Sequence, residues 1–196
     1  IKESEHATSR IFYIDPSYGS KLELARNLYN DGKYEWSLSY FKDIFKNEES
    51  YKKYPSYIYH YLKVYEKLGD FKQLLTLSDE ILRNIDNPEL AVDIRSARSL
   101  AYYKLFNFDE GINESRLAEK LYDKVKNKTL GNVIKQADQH TITSMLELAK
   151  FWTTRDSKFL SDSKESLQKA ERDLEKIKKE HETHYFGRLF GMKAFL

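Results

Sequence analysis

The 196 residues include 33 Lys plus Arg and 31 Asp plus Glu, a formal net charge of only +2, too little to draw the chain to nucleic acid or an anionic membrane by charge alone. One third of the residues are charged and mean hydropathy is −0.72, and no apolar run approaches the 18 or so residues of a membrane-spanning helix. Cysteine is absent, which excludes disulfides and thiolate metal sites and makes a reducing cytoplasm the expected location.

Three prolines and seven glycines are few, and apolar residues recur at steps of three and four, so an all-α fold is expected. Residues 1–17 show no clean period and read as a leader or linker. The chain opens at Ile1 with neither a methionine nor a secretory segment, so it is expected to be a piece or product of a longer protein. Leu22, Leu24, Ala25, Leu28 and Tyr29 make the apolar face of a first helix, which Asn30-Asp31-Gly32 stops. Tyr34, Leu38, Phe41, Ile44 and Phe45 line its partner, and the short connection makes the two antiparallel.

A second pair begins at Pro55, a good first-turn residue. Its first helix uses Ile58, Tyr61, Leu62, Tyr65 and Leu68. After Gly69 its partner uses Phe71, Leu74, Leu75, Leu77, Ile81 and Leu82, up to a break at Asn87-Pro88. The third pair starts near Glu89, with Ile94, Ala97, Ala101, Tyr102 and Leu105 on one helix and Phe108, Ile112, Leu117, Ala118 and Leu121 on the next. Beyond Tyr122 the period loosens. Gly131-Asn132 reads as connection, Val133 to Trp152 as a helix with Trp152 on its apolar face, and residues 153–161 as a loop. Asp162 reads as a helix start, with Leu167, Ala170, Leu174 and Ile177 on one stripe. Residues 123–184 thus form a divergent helix pair, and 185–196 a terminal helix readable as a truncated repeat.

Three phrases recur: Gly32-Lys33-Tyr34-Glu35, Gly69-Asp70-Phe71-Lys72 and Phe106-Asn107-Phe108-Asp109, with Tyr34, Phe71 and Phe108 each 37 positions apart. A fixed period of 20–50 residues marks a repeat array. The third copy, Ala101-Tyr102-Tyr103-Lys104-Leu105-Phe106-Asn107-Phe108, resembles the tetratricopeptide repeat, as do Val64 to Phe71 and Leu28 to Glu35. The resemblance covers residues 18–122 as three repeats and implies a right-handed superhelical array of antiparallel helix pairs, an α-solenoid. Three departures stand out: a period of 37 where 34 is usual, Arg98 where leucine is typical, and Phe106 where glycine is typical. The family's packing positions map to Ser37, Leu74 and Gly111, then to Ile44, Ile81 and Ala118.

The resemblance also implies a ligand-binding concave face. Its positions are Leu22, Arg26, Tyr29 and Asn30; Tyr59, His60, Lys63 and Lys67; and Ser96, Leu100, Tyr103 and Lys104. Cations and amides there would hold a carboxylate or acidic peptide, and rings would cover apolar parts. Of the clustered tyrosines, Tyr57, Tyr61 and Tyr65 share one face and read as packing, whereas Tyr59 lies elsewhere. His181 and His184 are three apart, one short of the zinc-protease spacing and without a third ligand, so no metal or cofactor is expected. The basic run ending at Lys179 alternates with acids and reads as a solvated face. Gly187 and Gly191 read as close helix packing.

No nucleophile, base and orienting group stand together, and no phosphate-cradling glycine loop is present. The expected function is therefore a non-catalytic scaffold that binds a peptide or protein segment. Such a scaffold would serve as the sensor or interaction region of a larger protein; bacterial peptide-pheromone receptors and NTPase defence proteins carry similar sensors. The alternatives are an RNA-binding helical repeat, disfavoured by the charge balance, and a purely structural spacer.

Overall fold

A computed structural model describes residues 18–46, 48–125 and 129–177. Every element among them is a helix. The leader, His181 and His184, Gly187 and Gly191, the terminal helix, and Lys178 and Lys179 of the basic run lie outside the described residues. Two compact units divide the chain, one ending at Asp86 and the other starting at Asn87. The boundary falls at the Asn87-Pro88 break expected from the sequence.

Unit 1 holds α1 (Tyr18–Asn30), α2 (Tyr34–Ile44), α3 (Glu48–Lys53), α4 (Pro55–Leu68) and α5 (Phe71–Asn84). Helix α2 packs on both α1 and α4, and α4 packs on α5. At Ser37 no side chain larger than a hydroxymethyl separates α1 from α2, and its Oγ donates to the Ala25 carbonyl at 2.7 Å. Rings fill the centre. Phe45 stacks on Tyr61 at 5.4 Å and on Tyr51 at 5.6 Å. Phe41 lies 5.5 Å from Tyr61, and Tyr61 lies 5.6 Å from Tyr65. Tyr61 and Tyr65 are buried, as expected, while Tyr57 is half-buried. Tyr57 donates to Glu23.

Helix α3 is absent from the sequence reading. It carries part of the period's extra length in the first connection and presents Tyr51 to the ring stack, where the Tyr51 hydroxyl donates to Glu80. The second connection is only 85–87, and there the extra residues lengthen α5 and the next helix instead.

Unit 2 holds α6 (Pro88–Lys104), α7 (Phe108–Tyr122), α8 (Leu130–Thr154) and α9 (Ser157–Ile177). Asn87 caps α6 by accepting from Leu90 N at 3.0 Å. Helix α7 packs on α6 and α8, and α9 runs along α8. All six mapped packing positions are buried. A Cβ on Gly111 would come within 2.6 Å of Leu146 Cδ2, so this glycine sets the close approach of α7 and α8. Arg98, out of place for a packing position, is buried against Glu114, which accepts from Arg98 at 3.0 Å and from Arg95 at 2.7 Å.

The loosened segment is more helical than expected. Gly131 and Asn132 belong to the first turn of α8, capped by Thr129, whose hydroxyl accepts from Asn132 N. The expected loop 153–161 shrinks to Arg155 and Asp156. Arg155 takes φ +61° and ends α8, and Asp156 then accepts from Lys158 N at 2.9 Å and starts α9. Leu105 and Trp152, expected on apolar faces, are instead exposed, because each stands at a helix end.

The recurring phrase is one turn used three times. The Gly32, Gly69 and Phe106 amides each bond the carbonyl three residues back, at 3.1, 3.2 and 3.1 Å. The amides of Lys33, Asp70 and Asn107 bond the carbonyl five back, at 2.8, 3.0 and 2.9 Å. This pattern satisfies the last carbonyls of a helix and requires a left-handed residue at the turn. Gly32 and Gly69 take φ +77° and +75° freely, whereas Phe106 is forced to +59° with its ring 81% exposed. A left-handed non-glycine residue costs about 1–2 kcal/mol. Phe106→Gly should therefore raise stability by about 1 kcal/mol after the entropy cost of glycine, read as a higher urea midpoint. In unit 1, Tyr65→Ala should cost about 3–5 kcal/mol; a loss below about 1 kcal/mol, typical of surface positions, would contradict the burial of this ring.

Candidate functional site

The candidate ligand residues of α1 and α4 come together on unit 1. Tyr29, near the end of α1, meets the His60 ring edge-on at 5.9 Å. His60 in turn meets Tyr59 at 6.1 Å, and Lys63 places its Nζ 5.5 Å from the Tyr59 ring centre, one turn further along α4. Arg26, one turn before Tyr29, is close enough for its charge to act on His60. All five side chains are partly buried.

Each cation arrives already matched. Arg26 pairs with Glu23 at 2.5 Å, and Lys63 with Glu66 at 2.6 Å. The face therefore offers a chain of rings edged by ion pairs, and not a bare positive surface. Burial pushes the Tyr29 phenol up, Lys63 opposes this, and Glu66 adds to it. His60 is held below its ordinary value of 6.5, first by burial and then by Arg26, against smaller pulls from the Ser56 backbone and Glu23. An uncharged imidazole is the form this surface favours.

Asn30 and Lys67 are exposed at the ends of their helices. Tyr103 and Lys104 belong to unit 2. Lys104 lies 5.9 Å over the Tyr103 ring, which rests on Phe108 at 6.0 Å and against the cluster of Ile112, Ile142 and Leu146. Three further positions implied by the resemblance are structural. Leu22 is in the core, Leu100 packs on that same cluster, and Ser96 donates to Gln139 of α8.

Sequence reasoning missed a polar seam through unit 2. Ser96 on α6 donates to the Gln139 side chain on α8, and Gln139 donates to Ser115 on α7. Ser115 Oγ lies 2.6 Å from Thr143 Oγ1, and Thr143 donates to Glu119 at 2.6 Å. An ionised carboxylate only accepts, so the order of donors along this chain is set from its Glu119 end. Burial alone would raise the Glu119 carboxyl, but His140, Thr143 and Lys169 outweigh it and hold the group below the usual range.

Further along α8, Glu147 is 1% exposed and accepts from Arg116 at 2.9 Å and from Ser166 at 2.8 Å. Burial is the larger influence there and pushes its carboxyl up. The signal was present in the spacing of Gln136, His140, Thr143 and Glu147, steps of four, three and four along one face of α8. Among the described residues, no group of three or more His, Asp or Glu side chains is placed to hold a metal ion.

The chain matches no family model and no curated relative.

The depressed His60 gives a pH dependence of definite sign. Unfolding releases the imidazole to take up a proton that the folded surface resists, so stability is lost as pH falls below about 6.5 and retained above it. The urea midpoint should drop between pH 7.5 and 5.5, and by less in His60→Gln. Equal drops in the two proteins would show that His60 is not held neutral.

Proposed function

We propose that the chain is a non-catalytic scaffold that binds a peptide or protein segment. In this reading the helix pairs form a right-handed array of tetratricopeptide type within a longer, cytoplasmic sensing or interaction protein. The same left-handed turn at positions 32, 69 and 106 supports the array. The observation that carries the binding reading is the ring chain Tyr29–His60–Tyr59 with Lys63 over its end. Aromatic rings supply large contact area at low entropy cost and are enriched where proteins recognise one another.

Because Arg26 and Lys63 are matched by Glu23 and Glu66, the ligand is gripped by ring contact and hydrogen bonds more than by net charge. An acidic segment gains less here than unpaired cations would offer. The same pairing disfavours RNA, whose binding rests on releasing counterions.

A random dodecapeptide library panned against the full chain, and against the Tyr59→Ala/Lys63→Ala double variant, tests this. Selected peptides should bind the double variant at least about tenfold more weakly, a loss of roughly 1.4 kcal/mol, with shallow salt dependence. Equal binding to both proteins would remove this face from the site. Recovery of no binder, alongside single-stranded RNA binding that falls log-linearly with salt, would overturn the peptide reading.

A further inference from the structure

Helices α7, α8 and α9 enclose a cleft of about 380 Å³ within unit 2. It follows α8 from Gln136 to Glu147, a run of about 16 Å at 1.5 Å per residue. Five carboxylates line it: Glu119 from α7 and Asp123 just past its end, Glu147 from α8, and Asp162 and Glu165 from α9. The cations among the lining residues are mostly engaged. Arg116 is taken by Glu147 at 2.9 Å and Asp162 at 3.7 Å, and Lys169 by Glu165 at 2.9 Å. An anionic ligand would have to break these pairs before gaining anything. Lys120 also lines the cleft beside Glu119 and Asp123, so the lining as a whole carries five carboxylates against the three cations Arg116, Lys120 and Lys169.

Beside Glu119 sits His140, buried to 7% exposure. Its Nε2 faces Asp173 at 3.4 Å, and its Nδ1 lies 3.1 Å from Glu119 Oε1. The Nδ1 atom is buried with no hydrogen-bond partner. A buried polar atom left in that state costs about 1–3 kcal/mol. A third group that bridges Nδ1 and Oε1 from the side must donate to both, which takes two or more hydrogens, and a positive charge strengthens its bond to the carboxylate. A primary ammonium has three such hydrogens.

We propose that this cleft binds a linear di- or polyamine, with one primary ammonium shared by His140 Nδ1 and Glu119 Oε1. The rest of the chain would lie along α8, where Thr143 and Gln136 border the path. The proposal is independent of the peptide reading, which concerns unit 1.

Isothermal titration of the full chain with spermidine tests it, with hexamethonium as a dication of similar length whose quaternary nitrogens have no hydrogen to donate. Spermidine should bind saturably with 1:1 stoichiometry, and hexamethonium at least about tenfold more weakly, the loss expected for charge-assisted hydrogen bonds. Glu119→Gln and His140→Gln should each weaken spermidine by a similar factor while keeping the helical circular dichroism of the parent. Asp123→Asn, an exposed change at the end of α7, should weaken it severalfold and covers the case in which the buried variants fail to fold. No saturable binding at millimolar spermidine would overturn the proposal. So would equal affinity for hexamethonium, unchanged affinity in Glu119→Gln and Asp123→Asn, or tighter binding of citrate than of spermidine.

Discussion

A helix that ends must place its last carbonyls somewhere, and after α1, α4 and α6 the answer is a single left-handed residue. At positions 32, 69 and 106 that residue lets two amides reach back to carbonyls three and five residues earlier. The reversal is then complete within about three residues, so the next helix must return along the one before it. The antiparallel contacts of α1 with α2, α4 with α5, and α6 with α7 follow from that turn. The chain spends glycine on the first two turns and accepts strain at the third.

The two units fill the space between their helices with different chemistry. Unit 1 uses large rings that touch at 5.4–6.2 Å, stacked or tilted, and each ring pair adds roughly 0.5–1.5 kcal/mol beyond burial. Unit 2 instead buries serines, threonines, Gln139 and Glu147 between α6, α7, α8 and α9, with Glu119 half-buried beside them. Most of these groups find a partner on a facing helix, as Gln139, Ser115, Thr143 and Glu147 do, whereas Thr141 and Ser99 bond carbonyls of their own helices and His140 Nδ1 has no hydrogen-bond partner. The Arg95–Glu114–Arg98 cluster obeys the same rule, since removing one partner would leave a charge uncompensated in the interior.

Much of the fold was legible because glycine, proline and capping residues have local meanings. Gly32 and Gly69 announce their turns, Asn87-Pro88 announces α6, and the steps of Tyr61 and Tyr65 announce a buried face. Arg155 was not legible, since nothing in an arginine signals a left-handed helix end, and so the α8–α9 turn read as a long loop. Helix α3 is too short for a period to show. The unit 1 face was partly legible: positions carried Tyr29, Tyr59, His60 and Lys63, and the neutralising acids Glu23 and Glu66 stand three residues from Arg26 and Lys63. The seam is not legible in the sequence as a buried one because the apolar stripe of α8, through Ile142 and Leu146, satisfies the helical period by itself, and the polar stripe beside it reads as a solvated face. Only three helices together turn that stripe into a cleft.

That seam has a consequence for how unit 2 finds its alignment. Between two uniformly apolar helices, a slip of one turn, about 5.4 Å, exchanges one aliphatic contact for another at little cost. Here the same slip would carry Gln139 away from Ser96 and Ser115, Thr143 away from Glu119, and Glu147 away from Arg116 and Ser166. Several buried dipoles and a carboxylate would lose their counterparts at once. Misaligned packings of unit 2 are thus penalised in proportion to the number of bonds they break, and the correct alignment is selected by what the alternatives forfeit, as when a polar residue in a coiled-coil core specifies register.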